Sequence, residues 1–300
     1  MSQLYIVILT YNGYADTHEC LTSILPLLNK NTHCIVVDNA SSDDTFANVR
    51  QFFPQVTLIE NKSNLGVPRG YNIGFRYALE HGADAVLMLN NDTVLAPDML
   101  QQLGQASMDE RVGIAVPIAY EYHRPQHIWS AGASYRAFPP AFVMDNRITG
   151  QLRQLDYAIA CCILITRRAF ERVGLLDESI FFMWEDLEFC QRVRNADLHI
   201  VQVPTAKMWH KVSQTTQPGK PLFWQMHGES SVLYFRRHSR WPRLAVWLNM
   251  GWFGLREFVL KGRPQFIAAF LAGLRSGWQK PLLAIPQPLN PHRPAPTAIR

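Results

Sequence analysis

An α/β fold, built on a mostly parallel, Rossmann-like sheet with a helical C-terminal extension, is what this sequence predicts. Three observations carry it. Short apolar runs alternate with helix-length segments through the first half, polar residues cluster where those runs end, and residues 236–300 turn basic and apolar.

Tyr5–Leu9 is the first apolar run, followed by a helical stretch from about Asp16 to Leu28. Cys34–Val37 is the second, and a helix from Asp43 to about Phe52 follows it. Val56–Ile59 predicts a third strand, and Gly70–Glu80 a helix with apolar residues at 71, 75 and 78. Ala85–Leu89 predicts a fourth strand, with a helix opening near Pro97. Such alternation indicates a parallel sheet with helices on both faces. Residues 117–157 carry Pro117, Pro125, Pro139, Pro140 and many aromatics, and read as loops and short strands over one sheet edge. Cys161–Ile165 predicts another strand, and Arg167–Val173 and Glu185–Arg194 two helices. The end from Pro286 to Pro296 predicts an extended, loosely held segment.

Composition narrows the class. With 48% apolar and 18% charged residues, the chain of 300 is globular rather than disordered. Five cysteines (Cys20, Cys34, Cys161, Cys162, Cys190) form no CxxC pair, an odd count that suggests reduced thiols. The first residues lack a basic leader and a cleavage site, which argues against secretion. Residues 236–300 hold eleven Lys or Arg against one acid, Glu257. That tail carries +10 and the first 235 residues carry −5, so the chain divides into an acidic body, 1–235, and a basic extension, 236–300. Within the extension, Leu244–Leu255 and Pro264–Leu274 are uncharged for twelve and eleven residues. Both fall short of the ~20 residues that span a bilayer. Arg, Lys, Trp and Phe bracket them, as in helices that lie in a membrane interface. Anionic lipid therefore suits this tail better than nucleic acid. The expectation is a peripheral protein on the cytoplasmic face of the inner membrane; the alternative is that these helices pack on the body.

Candidate functional residues stand at the strand ends, where open α/β sheets bind ligands. Asp38 follows a buried run and precedes Asn39-Ala40-Ser41-Ser42-Asp43. Ser42 or Asp43 caps the next helix, while Asp38 suits a ribose or base. Asn61 to Gly66 leads into Gly70-Tyr71-Asn72-Ile73-Gly74, residues that permit close backbone approach to a ligand or form ordinary turns. Asn90-Asn91-Asp92 after a buried strand offers a carboxylate for a hard divalent cation, or a turn with a helix cap. Glu185 and Asp186 follow the apolar run Phe181-Phe182-Met183-Trp184, and Trp184 offers a flat face to a sugar ring. The helix dipole alone accounts for acids there, though not for their place behind aromatics. His210, one histidine of ten, is a ligand candidate that would complete a metal site of oxygens.

These pieces in this order resemble glycosyltransferase family 2, the inverting GT-A type, and most closely its rhamnosyltransferase-like bacterial members. The resemblance rests on Ile6 to Asn12, Ile35 to Asp43, Asn64-Leu65-Gly66 with Asn72-Ile73-Gly74, Leu89 to Asp92, and Trp184 to Glu188 with His210 downstream. It covers residues 3–215 or so and implies the GT-A type nucleotide-diphospho-sugar transferase fold. Thr10, Tyr11, Asn12, Asp38 and Asn39 would hold the donor nucleotide, helped by Asn64, Gly66 and Asn72. Asn91 and Asp92 occupy the place of the DXD motif, with Asp92 on Mg2+ or Mn2+; Asn90 stands where many members have the first Asp. Asp186 would be the general base, Glu185 its orienting neighbour, Trp184 an acceptor platform, and His210 a group reaching the metal or diphosphate. The implied donor is dTDP-rhamnose, then UDP-sugars. The implied acceptor is a hydroxyl of a glycan or lipid-linked glycan in polysaccharide or lipopolysaccharide synthesis. Two other readings remain: a nucleotidyltransferase, which should show a Gly-rich basic N-terminal loop that Leu9 to Gly13 is not, and an inactive membrane-bound sugar-binding scaffold.

Overall fold

A computed structural model describes residues 3–136, 141–212 and 219–288. Pro139, Pro140 and the proline-rich end beyond Pro288 lie outside them. Strands β1 (Leu4–Thr10), β2 (Thr32–Asp38), β3 (Thr57–Glu60) and β4 (Ala85–Asn90) pair in parallel, in the spatial order β3-β2-β1-β4. Helices α1 (Tyr14–Ile24), α2 (Thr45–Phe52) and α3 (Val67–Glu80) connect them. Side chains alternate across β1. Ile6 and Ile8 join one core with Leu21 and Val49, while Tyr5 and Val7 join a second core with Phe75 and Phe170. Burial on both faces explains why β1, β2 and β4 read as continuous apolar runs.

The second half departs from expectation. β5 (Thr93–Leu95) and α4 (Met99–Ala106) lead into β6 (Val112–Glu121), β7 (Arg124–Ser130), β8 (Ala133–Arg136), β9 (Ala141–Met144) and β10 (Arg153–Leu155). Then come β11 (Cys162–Thr166), α5 (Arg167–Val173), α6 (Glu185–Asn195) and β12 (His199–His210). Residues 117–157 are therefore not all edge loops. β6 lies inside the sheet, between β11 and β12, and is buried through Ala119. The sheet is also mixed rather than parallel throughout: β11 runs antiparallel to β4 and β6, while β12 runs parallel to β6. Prolines conceal both long strands. The β6–β12 register shifts between Gln202 and Lys207, around Pro117 and Pro204, where a missing N–H is tolerated.

Three more helices follow: α7 (Pro221–His238), α8 (Pro242–Gly254), which continues through a π-helical turn at Leu255–Leu260, and α9 (Ile267–Gln279). They enclose a separate core of Trp224, Val232, Val246, Met250, Phe258 and Phe270. α7 and α9 cross closely because glycines face the contact; a Cβ on Gly228 would stand 2.5 Å from the Phe270 carbonyl oxygen. The boundary expected at 235/236 falls inside α7.

Candidate active site

Strand register sets the site. Thr10 lies opposite Asp38 and Leu9 opposite Asn90, so the loops after β1, β2 and β4 leave the sheet at one edge. A cavity of about 1040 Å³ opens there, walled on one side by these loops and on the other by α6, α7 and α8.

On the loop side, Tyr11, Asn39, Asn64, Gly66, Asn90, Asn91 and Asp92 line the cavity. Amides hold one another in place. Asn39 donates to Asn64 Oδ1 at 3.0 Å and to the Gly66 carbonyl at 3.2 Å, and its own Oδ1 accepts from Asn61 and from the Leu65 N–H. Gly66 has φ +81°, and a Cβ there would meet the Phe181 carbonyl oxygen at 2.5 Å, so no other residue fits without moving that segment. Asn91 donates to Thr17 Oγ1 at 3.0 Å, and Asn90 Oδ1 accepts from Tyr71.

Other residues expected on the nucleotide stand behind this surface. Both Asp38 oxygens are taken by Ser41, one by its N–H at 2.9 Å and one by its hydroxyl at 2.5 Å. Thr10 is buried against Thr17. Asn12 accepts the Ser42 N–H at 2.8 Å, joining the first two loops. Asn72 is fully buried and bonds Leu176 in both directions, a brace between α3 and the segment ahead of α6. These four shape the loops from the second layer.

Asp92 reaches the cavity with a buried Oδ2 that has no hydrogen-bond partner among the described residues. Its Oδ1 lies 3.1 Å from His210 Nε2. β12 brings that histidine there by pairing antiparallel with β5, His210 against Thr93. The His210 ring packs on Trp129, behind Asp92. A buried carboxylate oxygen without a donor suits a divalent cation. No group of three or more His, Cys, Asp or Glu side chains that could hold a metal gathers among the described residues, so further ligands would be phosphate oxygens and water.

The opposite wall carries Glu185 and Asp186 at the start of α6. Trp184, ahead of them, has φ 69°, in the left-handed region. Its indole N–H donates to His227 Nδ1 at 3.1 Å, and its ring packs against Tyr234 and Phe235, so α7 fixes the expected sugar platform. Asp186 Oδ2 accepts the Tyr157 hydroxyl at 2.8 Å and the Ala160 N–H at 3.3 Å, while Oδ1 accepts the Leu187 N–H at 2.7 Å and keeps a lone pair. Burial raises the Asp186 pKa against those donors. Glu185 has less help, a single backbone N–H, its own. Its Oε2 is buried without a hydrogen-bond partner among the described residues, and burial, then the charge of Asp186, pushes its pKa up to about 8. Of the pair, Asp186 is the one whose charged form is favoured by surrounding donors, and Glu185 the one that burial and its neighbour's charge push toward the protonated form.

Two features place this pair. The Asn90 N–H donates to the Cys161 carbonyl at 2.9 Å, which sets Ala160, and with it Asp186, beside the end of β4. Below, Glu188 is fully buried and bound to Arg192 at 2.7 Å and His238 at 3.1 Å, and Arg237 bridges on to Asp177 at 2.6 Å. Burial alone would raise the Glu188 pKa, but these partners hold it low. Sequence reasoning missed Tyr157, which falls in the stretch it could not order, and the cations Arg194, Lys220 and Arg256 on the same wall.

The model of the family described as Glycosyl transferase family 2 matches residues 5–174, which ends before Glu185. Over 222 residues the chain is 25% identical to a dTDP-rhamnosyl transferase RfbF of Shigella flexneri, covering 70% of each. Over 283 residues it is 24% identical to an N-acetylglucosaminyl-diphospho-decaprenol L-rhamnosyltransferase of Mycobacterium tuberculosis (strain ATCC 25618 / H37Rv), covering 86% of this chain and 92% of that one. Among solved structures, the mannosyltransferase PcManGT from Pyrobaculum calidifontis, in complex with GDP-Man and Mn2+, superposes with TM-score 0.58 at 16% identity, over 94% of this chain and 76% of that one. GalNAc-T7 with UDP, GalNAc and Mn2+ gives 0.60 at 13% identity over 79% of this chain, which spans about half (51%) of that one. The structural likenesses carry the fold, which is the GT-A type.

Proposed function

This chain belongs to glycosyl transferase family 2 and is a glycosyltransferase; from that premise we propose that it moves a sugar, rhamnose first, from a nucleotide diphosphate to an acceptor hydroxyl with inversion. One observation carries the reading: Asp92 and Asp186 line opposite walls of one cavity. The acceptor hydroxyl, a weak nucleophile, gives its proton to Asp186 Oδ1 as it attacks the sugar carbon from the side away from the phosphates. Tyr157 and the Ala160 N–H hold that carboxylate in place, and Glu185, still protonated, offers an O–H to orient the incoming oxygen. No covalent intermediate is needed. A divalent cation, Mg2+ or Mn2+, held by Asp92 with His210 behind it, would neutralise charge on the departing diphosphate. Tyr11, Asn39, Asn64 and Asn91 contact the donor, and Thr10, Asn12, Asp38 and Asn72 set their loops.

The names of the two rhamnosyltransferase relatives support dTDP-rhamnose as donor and a glycan or lipid-linked glycan as acceptor, and UDP-sugars stand second. The catalytic domain runs to the start of α7, and the helices from α7 onward form the extension that closes the acceptor side. A lipid-linked acceptor places the work at the cytoplasmic face of the inner membrane. No helix among the described residues is long and apolar enough to cross a membrane; the attachment proposed there is peripheral, through the basic extension. The test is nucleotide release from purified dTDP-, UDP- and GDP-sugars, with and without EDTA and a lipid-linked acceptor. Acceptor-dependent release that EDTA abolishes is expected. Silence from every donor would sink the reading, EDTA-resistant turnover would remove the cation, and a product of retained anomeric configuration would remove single displacement.

A further inference from the structure

α8 has two apolar faces where a surface helix should have one. Val246 and Met250 point into the helical core. On the far side, Leu244, Trp247, Leu248 and Leu255 face solvent, joined by Trp241 before the helix and Val259 and Leu260 after it. Trp247 is 71% exposed and Leu260 68%. A continuous patch of this kind on a globular surface marks an interaction site.

Its surroundings select the partner. Arg240, Arg243 and Lys261 flank the patch, and Arg275 stands exposed on α9 beside Leu271 and Trp278. The one acid of residues 236–300, Glu257, is buried and bound to Arg256 at 2.9 Å, Lys261 at 2.8 Å and Arg263 at 3.6 Å, so it adds no exposed negative charge. Tryptophans with flanking cations match the boundary between acyl chains and anionic headgroups, where indoles lodge and long cations reach phosphate. The same helix also belongs to the cavity. Asn249, Trp252 and Arg256 line it, and Trp252 is exposed as well, so the acceptor-side rim adjoins the apolar face.

We infer that the outward face of α8 and its π-helical turn docks on an anionic lipid bilayer and brings the acceptor-side rim of the cavity down to the headgroups. This deepens the proposed function, since it rests on the lipid-linked acceptor named there, and assigns the surface that meets the membrane. A docked enzyme receives its acceptor by diffusion within the bilayer, with Lys220, Arg256 and Arg194 along the wall next to the entry.

Flotation of the full chain with phosphatidylcholine vesicles, with and without phosphatidylglycerol, tests it. The wild type should float with anionic vesicles, bind neutral ones less, and show tryptophan quenching by brominated lipid. Trp241→Glu with Trp247→Glu, both exposed and outside the cavity lining, should lower binding by about ten-fold or more. Arg243→Glu with Lys261→Glu should remove the preference for phosphatidylglycerol. Wild-type chain that stays in the aqueous fraction, or a tryptophan variant that floats as well as wild type, overturns the docking. So does a dimer in solution that Trp247→Glu dissociates while vesicle binding stays absent, which would assign the face to a second copy. Donor turnover with a short-chain, water-soluble acceptor is read on the same preparations. Turnover intact without docking sinks the docking alone, whereas docking without turnover sinks the proposed transfer.

Discussion

The two walls of the cavity are built on opposite principles. The loop wall is polar and largely uncharged: Asn39, Asn64 and Asn91 are locked by one another, by threonines and by backbone, and Asp92 stands among them with an unclaimed oxygen. The helical wall is largely aromatic and apolar, carries the cations Arg194, Lys220 and Arg256, and holds two adjacent carboxyls in deep burial. Fixed dipoles suit a ligand that brings its own negative charge, because added protein carboxylates would repel it. Burial suits a group that must take a proton near neutral pH, because it lifts a carboxyl toward that range. Under the proposed function, the difference assigns donor recognition to one wall and proton transfer to the other, and makes the two separable.

That separation is open to attack at several points. Asp186→Asn should reduce transfer by about 10³-fold, the span expected for a lost general base, while nucleotide binding by calorimetry stays as in wild type. Weakened binding would mean the two walls are not independent. Asp92→Asn should cost about 10²-fold, with part of the rate returning as Mn2+ is raised; a loss that no cation concentration alters would remove the metal from Asp92. Tyr157→Phe deletes one donor to Asp186, so the carboxylate loses stabilisation and its pKa rises. The acid limb of the rate profile should move up by about one pH unit, with about ten-fold less activity below it. An unshifted limb would show that Asp186 does not govern it.

Glu185 gives the smallest effect, on stability. Its pKa rises from 4.5 unfolded to about 8 folded, so the folded protein binds the proton more tightly. Stability is full below the unfolded value and falls as pH climbs through that window. Glu185→Gln removes the slope, and its melting temperature should pull ahead of wild type between about pH 5 and pH 8. A gap that stays constant would mean Glu185 is ionised throughout.

What was legible in the sequence follows from locality. β1, β2 and β4 announce themselves because each is buried on both faces, and the polar residues at their ends stand beside them in the chain. The helix expected over Glu185–Arg194 is found as α6 for the same reason of locality. β6 and β12 escaped because Pro117 and Pro204 interrupt runs that pair across a bulge. Asp38 ends β2 and Asn72 lies in α3, both next to the loops expected at the site, but whether a side chain faces a ligand or a neighbouring segment depends on partners such as Ser41 and Leu176. The helical wall was invisible, since α7 and α8 meet α6 only through long-range packing, and Trp184 bonds a histidine 43 positions away.

The ionic cluster under α6 has a consequence for the whole molecule. Glu188 and Asp177 lie ahead of α7, while Arg237 and His238 close it, and detaching α7 would take from Asp177 its cation and from Glu188 its partner His238, Arg192 remaining. The two cores should therefore melt together, as a single calorimetric peak, despite their separate interiors and contrary charge.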